Sequence, residues 1–303
     1  MVKITLAICT YNRAEYLDLC LESITKQTID NYHFKVLVVD NNSIDNTINI
    51  FNKYKKKYSN FRIVKETKIG LSNARNRAIK ETDTEWIAYI DDDAILFENY
   101  VEIVLKTIKK YNFVCFGGNY IAKYLETKPK WIDSTFGSSQ NNIKKIKRIY
   151  FDNIICGCNM VFNKAILIKI GGFPDNLGMK GSKIGYGEEN YVQKKILEMN
   201  LPVGFQPELK IYHIVQPYKY KLTWHLKKIY AHGRARESIN NKGTSRFILF
   251  YYLIKNIAKT ILFIPLYLLK LNKKDYYWQN FVLDVSNSIL YNIGRINVLL
   301  IFI

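Results

Sequence analysis

Residues 86–93 read Trp86-Ile87-Ala88-Tyr89-Ile90-Asp91-Asp92-Asp93, an apolar run that ends without a spacer in three consecutive carboxylates. A short run of aromatic and β-branched residues reads as a buried strand. The acids then stand at the strand's carboxyl end, the edge at which open α/β sheets bind ligands. Three like charges so close repel one another unless a cation joins them. Hard oxygen donors suit Mn²⁺ or Mg²⁺, and a diphosphate commonly completes such a site. An acidic solvated turn is the plainer reading, but the apolar residues 88–90 run into it directly from the core.

Working outward, similar apolar runs at 4–9, 34–39, 61–64 and 114–116 alternate with helical patterns at 16–26, 47–58, 72–80 and 100–110. Each helical stretch is long enough for a right-handed crossover. The alternation predicts an α/β fold: a Rossmann-like, doubly wound, mostly parallel sheet with helices on both faces. Further strands are expected at 154–162, 203–206 and 210–215, and helices at 164–170 and 188–199, with a glycine-rich loop over 171–187. The stretch 121–153 is polar and lysine-rich and reads as a loop over the mouth of the site. Its Trp131 reads equally as a sugar-stacking or a packing side chain.

The other strand ends also carry polar groups. Thr10-Tyr11-Asn12-Arg13 follows the first strand and reads equally as a plain capped helix start or as the place where backbone amides and an arginine would face a nucleotide. In Val38-Val39-Asp40-Asn41-Asn42-Ser43, Asp40 can accept hydrogen bonds from a pyrimidine ring or a ribose, while Asp45 and Thr47 can cap the next helix. Ile69-Gly70-Leu71-Ser72-Asn73-Ala74-Arg75-Asn76, with Lys68 before it, is a glycine turn into a helix that suits a diphosphate through its amides and cations. It is not a P-loop. Gly185-Tyr186-Gly187-Glu188-Glu189-Asn190 opens a helix with two acids. They complement the helix dipole or, beside a metal–diphosphate site, one of them takes a proton from an attacking hydroxyl. His213 reads as a further metal ligand or as a packed histidine.

The 45 basic against 26 acidic residues give a net charge of +19, and residues 201–303 hold fifteen Lys and Arg against four acids. Such a balance calls for anionic partners: nucleic acid, a phosphorylated small molecule or an acidic bilayer. No nucleic-acid motif is found and no nucleic-acid partner is expected. The apolar runs 247–254 and 261–269 are interrupted by Lys255, Asn256, Lys259 and Thr260. A continuous span of about 20 apolar residues is therefore not expected, and an in-plane helix pair on an anionic membrane surface is. The domains read as 1–240 for the α/β unit and 241–303 for a helical extension. Cys9, Cys20, Cys115, Cys156 and Cys158 lie mostly in apolar runs and read as reduced core residues. With no signal-peptide pattern at the N-terminus, the expected location is cytoplasmic, peripheral on the inner face of the cell membrane.

Taken in this order, the segments resemble glycosyltransferase family 2, with its GT-A fold and of the bacterial surface-polysaccharide type, over about residues 1–240. The resemblance implies inverting, metal-dependent transfer of a hexosyl or N-acetylhexosaminyl group from a nucleoside-diphosphate sugar, by family habit a UDP-sugar. The implied acceptor is a glycan or a polyprenyl-diphosphate-linked glycan. It further implies that Thr10, Tyr11, Asn12, Arg13 and Asp40 hold the nucleotide. The run from Gly70 through Ser72 and Arg75 looks like the family's Gly-x-x-x-Ala-Arg-Asn segment. Asp91-Asp92-Asp93 matches Asp-x-Asp, with Asp93, assisted by Asp91, binding metal and diphosphate. Asn159 in Gly157-Cys158-Asn159 would lie beside donor sugar and acceptor. Gly187-Glu188-Glu189 corresponds to a Gly-Glu-Asp whose last acid is the base. Glu189 stands where Asp is usual, which leaves Glu188 and Glu189 both open for that role. His213 falls at the family's late histidine, and Arg234 or Arg236 at a diphosphate-binding arginine. Two other classes compete. A sugar nucleotidyltransferase lacks its glycine-rich, lysine-bearing signature here, and a non-catalytic basic nucleotide- or nucleic-acid-binding protein would not gather its acids at strand ends and its bases on a tail.

Overall fold

The computed structural model describes residues 3–150, 155–240 and 244–300. The expected strand start at 154, the last residues of the loop expected to reach 153, and the expected extension start at 241 lie outside the described residues. The chain forms two compact units. The first comprises residues 1–123, 137–176 and 188–215, the second 124–136, 177–187 and 216–303.

In the first unit, β1 (Ile4–Thr10), β2 (Phe34–Asp40), β3 (Phe61–Lys65) and β4 (Trp86–Asp91) are joined through α1 (Ala14–Thr25), α2 (Thr47–Lys55) and α3 (Leu71–Glu81). These four strands are all parallel, in the order β3-β2-β1-β4, because each connection passes through a helix. There follow β5 (Ala94–Leu96), α4 (Tyr100–Lys110), β6 (Cys115–Lys123), β7 (Lys147–Ile149), β8 (Asn159–Asn163), α5 (Lys164–Lys169), α6 (Glu188–Glu198) and β9 (Val203–Ile214). The nine-stranded sheet runs β3-β2-β1-β4-β8-β6-β9-β5, with β7 on β9. Its second half departs from the mostly parallel expectation. The chain leaves β6 through a stretch with no helix among its described residues, and β8 enters antiparallel between β4 and β6. The sheet is mixed.

Alternation along the strands makes two cores. Ile4, Leu6 and Ile8 of β1 point to one face, against Leu17, Leu21 and Ile24 of α1, Phe51 of α2 and Val104 of α4. Ala7 and the odd members of β2, Leu37 and Val39, point to the other, with Ala74 and Ala78 of α3, Leu167 of α5 and Val192 and Ile196 of α6. A period of two in the strands and 3.6 in the helices produces both layers. Three strands differ from the sequence reading. β5 and β7 are too short to show a period, and β9 is one strand where two were expected. It runs through Pro207, which is tolerated because the register shifts by a bulge opposite Gly117–Asn119.

The second unit holds α7 (Leu222–Ile239), α8 (Arg246–Lys270) and α9 (Trp278–Leu300). The boundary expected at residue 240 falls inside it, since α7 packs along α9. The crossing is tight: a Cβ on Gly233 would stand 2.0 Å from the Tyr291 carbonyl, and one on Gly294 2.2 Å from that of Tyr230. The segment 124–136 belongs here too. Trp131 is buried against His225, its carbonyl accepting from Asn280 Nδ2 at 2.9 Å, which selects packing for this tryptophan. α8 is a single helix of 25 residues, long and apolar enough by length and composition to cross a membrane. That corrects the expectation of two interrupted runs: Lys255 and Lys259 are good helix formers and do not break it. Gly233→Ala is expected to lower stability by about 1–3 kcal/mol through overpacking of α7 on α9, read from urea unfolding. An unchanged midpoint would contradict the close crossing.

Candidate active site

Four loops at the carboxyl ends of the parallel strands form the floor of the site in the first unit, and hydrogen bonds lace them together. After β1, Asn12 adopts a left-handed φ of 52°, a conformation asparagine tolerates. Its amide donates to Ser43 Oγ at 3.0 Å, and its Oδ1 accepts from the Ile44 amide at 2.8 Å. After β2, the buried Asp40 accepts from the Ser43 amide. Asp45 caps both neighbouring helix starts, accepting from the Ala14 amide at 2.9 Å and from the Thr47 amide at 3.2 Å. Asn41, which sequence reasoning passed over, ties the second loop to the third. Its Nδ2 donates to the carbonyls of Glu66 and Lys68 and its Oδ1 accepts from the Gly70 amide at 2.7 Å. Gly70 has a φ of 143°, open to glycine and not to L side chains. Thr10 and Ser72 are buried, Tyr11 is half-buried, and Lys68 makes an exposed ion pair with Asp175 at 2.7 Å.

The acidic triplet is divided among three partners. Asp92 and Asp93 are buried beneath the Arg13 guanidinium, whose Nη1 lies 3.0 Å from Asp92 and 3.5 Å from Asp93. Burial pushes the Asp92 carboxyl up to about 6, against the pull of Arg13, with Asp93 adding repulsion. The pairing of β5 with β9 sets Ala94 opposite His213, and so brings His213 Nε2 to 3.8 Å from Asp93 Oδ1. His213 Nδ1 faces the Gly137 carbonyl at 3.2 Å, which orients the ring. Among the described residues, no three His, Cys, Asp or Glu side chains converge to hold a metal ion by themselves. Asp93 is a hard carboxylate donor that suits Mn²⁺ or Mg²⁺ when diphosphate oxygens complete the shell, and the His213 imidazole beside it adds a nitrogen donor that Mn²⁺ accepts more readily than Mg²⁺. The donor set fits a metal brought in with, or closed by, its substrate.

Asp91 takes the third partner, Arg75. This guanidinium is 2% exposed and reaches Glu188 Oε1 at 2.7 Å, Asp91 Oδ1 at 3.3 Å and the Gly157 carbonyl at 3.2 Å. Its carbon lies 5.5 Å from the centre of the Phe173 ring. Burial disfavours the charge, yet Glu188 and Asp91 outweigh it and the arginine's pKa is raised. The expected diphosphate role of Arg75 therefore gives way to a positioning one: its donors face carboxylates of the protein. A sequence signal existed, because Arg75 falls on the same helical face as the buried Ala74, Ala78 and Ile79.

Asn159 also differs from expectation. It is fully buried, its Oδ1 accepting from Tyr100 Oη at 2.9 Å and its Nδ2 donating to the carbonyls of Asn119 and Leu209. Its amide is taken up in pinning β8 to its surroundings. Glu188, 4% exposed, is committed to Arg75. Glu189 is half-buried, and its Oε2 is a buried acceptor without a hydrogen-bond partner among the described residues. Burial, then the charge of Glu188, raise its pKa well above the usual glutamate range, with Arg75 opposing. Arg234 and Arg236 lie on α7 of the second unit. All five cysteines are free thiols, Cys156 and Cys158 touching through their sulfurs at 3.4 Å. Arg75→Met is expected to cost about 3–5 kcal/mol of folding stability, since it strands the buried carboxylate of Glu188 and unpairs the half-buried Asp91. A urea titration showing less than about 1 kcal/mol of loss would refute the assembling role.

The profile of glycosyl transferase family 2 matches residues 5–171, more than half of the 303-residue chain. Among curated relatives, the glycosyltransferase AglE of Haloferax volcanii is 28% identical over 177 residues, covering 57% of either chain. The chain spans about half the length of the first curated relatives it matches. Among solved structures, the mannosyltransferase PcManGT of Pyrobaculum calidifontis, in complex with GDP-Man and Mn²⁺, superposes with a TM-score of 0.66 at 16% identity, covering 96% of this chain and 87% of its own. TarS 1-349 of S. aureus, in complex with UDP-GlcNAc, gives 0.56 at 18% identity, covering 76% and 67%. The matched span contains the parallel half-sheet, the laced loops, the acidic strand end and Arg75, and the chain belongs to glycosyltransferase family 2.

Proposed function

We propose that the chain transfers a hexosyl or N-acetylhexosaminyl group from a nucleoside-diphosphate sugar, by family habit a UDP-sugar, to a glycan or polyprenyl-diphosphate-linked acceptor, with inversion. The setting would be surface-polysaccharide synthesis at the cytoplasmic face of a membrane. One observation carries the reading. Arg75 holds Asp91 on one nitrogen and Glu188 on the other, so the helix start bearing Glu189 and the strand end bearing Asp93 converge within the span of one guanidinium. The family neighbours add that proteins of this fold are held with GDP-Man and Mn²⁺ or with UDP-GlcNAc.

In this mechanism the loops after β1 and β2 seat the nucleotide, Asp40 facing base or ribose. Asp93 and His213 would hold Mn²⁺ or Mg²⁺, which neutralises charge growing on the departing diphosphate, a Lewis-acid contribution of several kcal/mol. Arg13, poised over Asp92 and Asp93, supplies a positive edge to the same place. Glu189 removes the proton from the acceptor hydroxyl as that oxygen attacks the anomeric carbon from the face opposite the leaving group. Of the two acids left open by the sequence, Glu189 fits better. Among the described residues, an Oε2 without a hydrogen-bond partner is common to both, but Glu188 is held by the Arg75 guanidinium, whereas burial and the charge of Glu188 raise the Glu189 pKa, which brings its basicity toward the working pH.

The test is release of the nucleoside diphosphate from a panel of sugar donors, with and without Mn²⁺. Metal-dependent turnover of one donor is expected, abolished in Asp93→Ala. In Glu189→Gln, transfer to acceptor should fall about 10²–10⁴-fold with donor KM little changed. The wild-type rate should decline as pH drops through the raised pKa of Glu189, because protonation removes the base. Its acid limb should therefore lie above the ordinary glutamate value of 4.5. An Asp93→Ala protein with undiminished metal-dependent turnover overturns the assignment.

A further inference from the structure

α8 presents a surface that water does not suit. One edge of the helix packs on α9: Leu249 and Thr260 are buried, and Leu253, Asn256, Phe263 and Tyr267 half-buried, recurring at three- and four-residue steps. The face turned away from that seam carries Phe247, Tyr251, Ile254, Ile261, Leu262 and Leu269, all more than half exposed and Phe247 88% exposed. At 100° per residue these six fall on one broad side. Lys255 and Lys259, one turn apart, fall on its flank, between the outward face and the seam. Their ammonium groups lie 5.9 and 5.7 Å from the rings of Tyr251 and Phe263. Exposed contiguous apolar patches of this kind mark an interaction site.

We infer that α8 lies in the plane of an anionic bilayer surface, its outward apolar face sunk to the acyl boundary and Lys255 and Lys259 raised to the lipid phosphates. This extends the membrane-side setting proposed above by naming the surface that makes the contact. Charge and position select the occupant. The helix has 25 residues, about 37 Å at 1.5 Å per residue, enough to span a hydrocarbon core of about 30 Å. A crossing, however, would set both lysines at mid-depth, where an ammonium is most costly. Lying flat, the same lysines stand at the polar boundary with their stems along the apolar face. The chain beyond α8 repeats the pattern, with Lys273 and Lys274 in the turn and the 60% exposed Trp278 at the start of α9, and tryptophan and lysine favour the headgroup level. A second copy of the chain would satisfy the apolar face but would leave the basic flank without a counter-charge.

The full chain is mixed with vesicles of phosphatidylcholine alone or of phosphatidylcholine with phosphatidylglycerol, and bound protein is separated by flotation. Binding should require phosphatidylglycerol, weaken with salt, and fall about tenfold or more in Lys255→Glu/Lys259→Glu. In the vesicle-bound protein both lysines should still react with a membrane-impermeant amine reagent, located by peptide mass spectrometry. Equal binding to phosphatidylcholine, or lysines that become unreactive on binding, overturns the in-plane arrangement in favour of a crossing. Self-association in ultracentrifugation with no vesicle binding overturns it in favour of a second copy. Unchanged circular dichroism of the variant excludes misfolding as the cause of lost binding. Failure of donor turnover leaves this result untouched, so the two readings fall separately.

Discussion

The guanidinium of Arg75 is the group around which the candidate site is organised. It has no contact with bulk water, and a buried cation is stable only when its donors meet acceptors of opposite charge. Here those acceptors come from a strand end, from a helix start more than a hundred residues further along, and from the carbonyl of Gly157. Aromatic rings close the remaining sides. The arrangement is an obligation: any conformation that separates α6 from β4 leaves an unpaired charge in a low-dielectric interior. The geometry of the carboxylates is therefore tied to the folding of the unit itself.

Amide side chains extend the same logic. Asn41, Asn76 and Asn159 each bind both as donor and acceptor, Asn76 clasping the backbone of Phe173 through both ends of its amide. Such two-ended brackets fix a loop without contributing charge, and they leave the titratable groups to set the electrostatics. Those groups are separated by environment. Glu188 is paired with Arg75, Asp92 sits under Arg13, and Glu189 lies half-buried beside like charge. Neighbouring carboxylates with different surroundings take on different proton affinities, which is how one cluster can serve binding and acid–base chemistry together.

The parallel half of the fold and the acidic strand end are legible in the sequence because both rest on local signals. Strands β1, β2, β3 and β4 and their helices announce themselves by period, and the carboxylates by adjacency. What the sequence withholds depends on partners far along the chain. Nothing near Asn159 says that its amide will meet Tyr100 and Leu209, and nothing near Asp93 says that β5 will bring His213 beside it. Arg75 looked like a ligand because arginines at helix starts often are. Its place on the apolar side of α3 was the contrary signal, and the partner that explains it lies 113 residues away. α8 shows the opposite error, where two lysines read as an interruption of the helix and proved to be a decoration of it.

The second unit draws on three separated stretches of chain, 124–136, 177–187 and 216–303. The order in which a ribosome delivers them matters. Asn280, which holds the carbonyl of Trp131, is made 149 residues after it, an interval of about 7 to 30 s at 5–20 residues per second. Through that interval the tryptophan-bearing stretch and its aromatic neighbours wait without the helix that receives them. A nascent chain of this protein thus carries a finished half-sheet while its second unit is still incomplete, and it is the late stretch of synthesis that chaperones or a nearby membrane have the opportunity to shield.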